Sequence, residues 1–127
     1  MRMHRRLLQA AVAIVGIVPV SAGLAGVALG PTMIGVDVPV DLESHYRYLS
    51  GLLLAIGVAF WAIIPEIERR TTEFRLLTCL VVIGGISRLV SLAAVGVPSA
   101  PMAAAFSTEL LITPLLCLWQ SAIRERT

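Results

Sequence analysis

Apolar residues run along this chain in four long stretches separated by short polar segments. A helix needs about 20 mainly apolar residues to cross a bilayer, and each stretch is near that length. The first covers about residues 7–30 and is interrupted only by Gln9 and Ser21. The second covers about 46–64 and stops at Pro65, the third about 76–95, the fourth about 102–122. The connections are short, so consecutive helices are expected to pack antiparallel. The predicted fold is all-α: an antiparallel bundle of four transmembrane helices, one membrane domain over residues 1–127. No sequence repeat supports a two-plus-two hairpin symmetry.

The start of the chain also has the marks of a secretory signal: a basic beginning, an apolar run, and Val20-Ser21-Ala22 as a tolerable cleavage site. The apolar run is longer than a usual signal core, so the expectation is a retained first helix.

Composition sharpens this picture. Of 127 residues, 57% are hydrophobic and 14% charged, whereas a soluble domain carries about 25% charged residues. Such a chain cannot cover a water-facing surface, which excludes a soluble globular domain, a disordered chain and a disulfide-stapled module. All ten basic residues are Arg, and there is no Asn to accept an N-glycan. The net charge of +2 is small and its arginines are dispersed, so nucleic acid is not an expected partner. Cys79 and Cys117 fall inside apolar stretches without metal or redox spacing and read as small packing residues. No metal, cofactor or catalytic set is predicted.

Arginine placement sets an orientation. Arg2, Arg5, Arg6, Arg69, Arg70, Arg75, Arg124 and Arg126 fall on one side of the four-span topology. The other side carries Asp37, Asp41 and Glu43 in its first loop and no charge in its second, residues 96–101. Both termini are therefore expected in the cytoplasm, and the protein in the cell's inner membrane as a multi-pass chain. The loop from Pro65 to Arg70 reads as a solvated charged cap, with a contact to lipid phosphate as the functional alternative.

In lipid, helices associate through close packing of small residues. Helix one offers Gly16, Pro19, Gly23, Gly26 and Gly30; Pro19, which lacks a backbone N–H, is expected to bend it. Helix two offers Ser50, Gly51 and Gly57, and helix three Gly84, Gly85, Arg88 and Ser91. Helix four offers Ala105, Glu109, Thr113 and Gln120. These faces are expected to point inward.

Two ionisable residues lie inside the apolar stretches. Arg88 is eight residues before Gly96, and Glu109 seven after Met102. At a rise of about 1.5 Å per residue, both sit about 10–12 Å below the outer surface. Charges at that depth pair or line a cavity, and a guanidinium suits a carboxylate through its planar fork of donors. The outer end of helix two adds Glu43, Tyr46, Arg47 and Ser50. If Glu43 stays in water, Arg47 is a surplus positive charge and a seat for a carboxylate or phosphate. Tyr46 and Tyr48 also fit ordinary interfacial aromatics. Ser91, Ser107 and Thr108 are candidate supporting donors. The alternative is that the Arg–Glu pair only fixes helix register, at little net stability.

Three ordered motifs carry a resemblance: Tyr46-Arg47-Tyr48-Leu49-Ser50-Gly51, Gly84-Gly85-Ile86-Ser87-Arg88-Leu89-Val90-Ser91, and Glu109 with Pro114. The chain resembles a bacterial family of small four-helix membrane proteins catalogued only as a domain of unknown function. It is distantly similar to small membrane proteins of the DoxX type, from which no residue role carries over. The resemblance implies the four-helix fold and no assigned activity. The leading expectation is a non-enzymatic membrane protein that binds or moves a small amphipathic or anionic molecule. Arg88 and Glu109 would form its pair, Arg47 would supply charge, and Tyr46, Ser50, Ser91 and Glu43 would complete the polar cluster. The alternatives are an accessory or scaffold subunit, as a homo-oligomer or in a larger membrane complex, and a lipid-modifying enzyme with Glu109 as acid or base.

Overall fold

A computed structural model describes residues 2–35, 37–98 and 100–126, and these form helices and turns without a strand. Helix α1 is Arg2–Leu29, followed by a 3₁₀ turn Gly30–Ile34. Helix α2 is Val40–Ile63, followed by a 3₁₀ turn Ile64–Glu66. Helix α3 is Thr71–Val95. Helix α4 (Ala100–Ser107), a π turn (Thr108–Ile112) and helix α5 (Thr113–Arg126) complete the chain.

The helices begin earlier than the apolar runs because polar residues form their first turns. Asp41 and Glu43 occupy the first turn of α2 and Glu73 that of α3, where acids complement the positive end of the helix dipole. The turn residues follow backbone chemistry. Helix α3 ends at Gly96, whose φ of 120° is costly for any residue with a Cβ, and Pro98 follows. Helix α1 runs unbroken through Pro19.

Three segments are long and apolar enough to cross a membrane: Arg2–Thr32, Val40–Glu66 and Thr71–Val95. The fourth apolar stretch is not one regular helix. Its ladder is interrupted at Thr108–Ile112, so no regular helix in it reaches spanning length among the described residues.

The chain divides into two compact units. In the unit Val12–Ala62, α1 and α2 run antiparallel along a glycine seam. As α1 advances through Gly16, Gly23, Gly26 and Gly30, its nearest neighbours on α2 retreat through Trp61, Leu54, Ser50 and Arg47. A Cβ on Gly23 would lie 2.5 Å from the Leu54 backbone nitrogen, and one on Gly57 would lie 2.7 Å from Val20 Cγ2. The seam is therefore closed at backbone distance, as the small-residue faces of helices one and two led one to expect. Trp61 donates its indole N–H to the Ala13 carbonyl at 3.1 Å.

In the unit Met1–Ala11 with Ile63–Thr127, Leu8, Ile67 and Phe74 are wholly buried, with Ile63, Leu77 and Ile123 beside them in the core. The inward stripe of α3 is Thr71, Phe74, Leu77, Thr78 and Gly85. Gly84 and Ser91, expected on the inward face, are exposed; for Gly84 the reason is that the stripe centres on Gly85, from which Gly84 lies more than a quarter-turn, about 100°, round the helix. Thr113 and Gln120 are buried on the fourth segment, while the Ala105 side chain lies outside the described residues.

Candidate functional site

The site begins with a missing side chain. Gly85 faces the π turn so closely that a Cβ there would lie 2.8 Å from Leu110 Cδ2 and 3.3 Å from Glu109 Cβ. Arg88 stands three residues on, on the same face of α3. Its Nε donates to both carboxylate oxygens of Glu109, at 3.0 Å and 3.2 Å. The Arg88 side chain keeps 36% of its surface accessible and Glu109 16%, so the pair is half-buried.

Pro114 gives the π turn a cause. In a regular helix its ring would press on the Leu110 carbonyl, and it has no N–H to donate to it. Widening the turn relieves both problems. The Thr113 N–H then reaches back five residues to the Thr108 carbonyl, and the Thr113 hydroxyl donates to the same oxygen at 3.1 Å. Glu109 thus sits on backbone whose register is offset from that of α5, and it is this backbone that meets Gly85 and Arg88.

The neighbouring hydroxyls bind their own helices instead. Ser87 donates to the Ile83 carbonyl, Ser107 to Ala103 and Thr108 to Ala104.

Glu43, Tyr46, Arg47 and Ser50 form a second set, in the unit Val12–Ala62, while Ser91 is exposed on α3. Arg47 Nε donates to Glu43 Oε1 at 2.6 Å, and Nη1 donates to the Val27 carbonyl at 2.7 Å and to that of Ala28 at 3.4 Å. The surplus charge expected at Arg47 is therefore matched by Glu43, and its guanidinium caps the last carbonyls of α1. A Cβ on Gly30 would lie 2.8 Å from Nη2, and the φ of 67° there favours glycine. Ser50 is buried against Gly26, with Tyr46 half-buried at its edge. Tyr48 is exposed and stacks on His45 with ring centres 6.3 Å apart.

Sequence reasoning missed the ties on the loop after α2. Gln9 Nε2 donates to the Ile64 carbonyl, Arg5 Nη2 to Pro65 and Gln120 Nε2 to Ile67, each at 2.8 Å. Arg5 Nε also pairs with Glu68 at 2.8 Å, and Gln120 reaches Thr71 Oγ1 at 2.9 Å. Gln120 is wholly buried, and its Oε1 has no hydrogen-bond partner among the described residues. The loop read as a solvated cap is thus held at the Pro65 and Ile67 carbonyls, with Ile64 tied just before it. The only signal was polar: Gln9 and Gln120 stand in apolar stretches.

With this geometry in place, comparison with known proteins identifies the class. A family model described as Domain of unknown function (DUF4345) matches residues 7–120, and the chain belongs to that family. No curated protein and no solved structure matches it. The family and the three apolar helices mark a helical membrane protein.

Proposed function

We propose that this chain is a multi-pass protein of the cell inner membrane that binds or moves a small amphipathic or anionic molecule at Arg88 and Glu109. In this reading the segment of about residues 102–122 is the fourth span and both termini are cytoplasmic. A π turn is tolerated inside a span where neighbouring helices cover its backbone, and such turns recur at functional positions.

One observation carries the proposal. Arg88 is paired yet keeps about a third of its side chain accessible, within a helix apolar enough to cross a membrane. A guanidinium set in an apolar helix suits a ligand with an anionic head and an apolar tail: the head shares the cation and the tail lies on aliphatic side chains.

A second reading has its own support. Contact to both carboxylate oxygens, braced by Gly85, is also what a purely register-fixing pair would make. The two readings part on Arg88→Met and on the double variant Arg88→Met/Glu109→Leu. Native mass spectrometry of the chain extracted from its own membrane reads co-purifying small molecules, and a thermal melt reads stability. Ligand binding predicts that both variants lose a bound molecule that the wild type carries, while the double variant melts near wild type. A register-fixing pair predicts no bound molecule in any form and a lowered melt for Arg88→Met alone.

A further inference from the structure

The charge bookkeeping of the unit Met1–Ala11 with Ile63–Thr127 leaves a remainder. Glu68 is taken by Arg5, and both Glu66 and Glu73 are taken by Arg70. Arg2, Arg6 and Arg75 make no ion pair or hydrogen bond among the described residues, and all three are exposed. The Arg5–Glu68 contact brings the start of α1 to the loop that opens α3, so this surplus cation collects at one end of the unit.

The same end carries a groove of about 390 Å³ lined by Arg2, Met3, Arg6 and Leu7. Arg2 and Arg6 are one helical turn apart, and so are Met3 and Leu7. Met3 and Leu7 are exposed apolar side chains, 72% and 50% accessible. Two guanidiniums therefore flank two aliphatic side chains at the foot of a helix apolar enough to span a membrane.

We infer that this groove seats the headgroup of an anionic phospholipid. The phosphate lies between Arg2 and Arg6, and the acyl chains descend over Met3 and Leu7. The chemistry follows from the lining: guanidinium forks match phosphate oxygens, and a basic cluster beside a span attracts anionic lipid. Met3 and Leu7 select a lipid over a free anion, since only a lipid covers them. The inference rests on membrane insertion and not on the Arg88–Glu109 reading, so each can fail alone.

The test uses the full chain in nanodiscs of equal phosphatidylcholine and phosphatidylglycerol, released into native mass spectrometry. Wild type is expected to retain phosphatidylglycerol in preference to phosphatidylcholine. The double variant Arg2→Gln/Arg6→Gln should lower that preference about thirtyfold, at about 1 kcal/mol per basic residue near a lipid surface. Arg2→Lys/Arg6→Lys, which keeps the charge, should retain most of it and controls for folding. Millimolar inorganic phosphate should not displace the lipid. Equal retention of the two lipids by wild type, an unchanged preference in the Gln variant, or displacement by phosphate overturns the inference.

Discussion

Gly84 and Gly85 are adjacent in α3, but only Gly85 has a neighbour at its missing Cβ. Among the described residues a methyl on Gly84 meets nothing within 4 Å, whereas one on Gly85 meets Leu110 and Glu109. Gly84→Ala is therefore expected to be neutral or stabilising, since alanine is the better helix former by about 0.5–1 kcal/mol. Gly85→Ala overpacks the contact and is expected to cost about 1–3 kcal/mol. Thermal melts in detergent compare them, and equal melts would refute the close approach. Glu68 gives a prediction in pH. Burial pushes its carboxyl up, but the backbone hydrogen bond, the Arg5 bond and the charges of Arg5 and Arg69 together hold it below the ordinary value. A depressed carboxyl contributes stability above its unfolded pKa of about 4.3 and loses it as pH falls through the folded value. The melting temperature of wild type should exceed that of Glu68→Gln at pH 7, and the gap should close on acidification below that range. A gap independent of pH removes Glu68 as its source.

At the level of elements, the consequential feature is the π turn rather than any one helix. If Pro114 causes it, Pro114→Ala restores the missing donor and lets Thr108–Ile112 relax to a regular helix. Losing the extra residue of the turn rotates Glu109 by about 100° relative to α5, away from Arg88. A double-mutant cycle on Arg88 and Glu109 measures the coupling directly. It should be nonzero in wild type and vanish in the Pro114→Ala background; a coupling that survives assigns the π turn another cause. The same element shows what could and could not be read from residues alone. Counting along two antiparallel helices was enough to bring Arg88 to the height of Glu109, because rise per residue is fixed by backbone geometry. The glycine seam of α1 and α2 was legible for a similar reason: small residues at helical spacing have few uses other than close packing. The π turn was not legible, since proline marks a break in the ladder without saying how the ladder repairs itself, and α1 passes Pro19 without one. The ties of Gln9, Arg5 and Gln120 were hidden because their partners are backbone carbonyls, which every residue has.

For the molecule as a whole, the question is whether the chain crosses the membrane three times or four. By length and apolarity of regular helix the count is three, and an odd count puts the two termini on opposite sides. The arginines argue for four. With three crossings, Arg124 stands across the membrane from Arg2, Arg5 and Arg6, and the sidedness of the basic residues is diluted. With four, it joins them and the positive-inside bias is kept. The physics of the π turn removes the objection to four. Its backbone makes an alternative hydrogen bond from Thr113 to Thr108, and both Thr108 and Thr113 also bind with their hydroxyls. Backbone groups paired within the protein are what an irregular turn at membrane depth requires. Carboxy-terminal fusions decide the matter in living cells. A fluorescent protein that matures only in the cytoplasm should be bright, and an alkaline phosphatase active only outside it should be silent. The reverse pair would place the carboxyl end outside and reduce the fourth segment to a helix lying on the bundle without crossing.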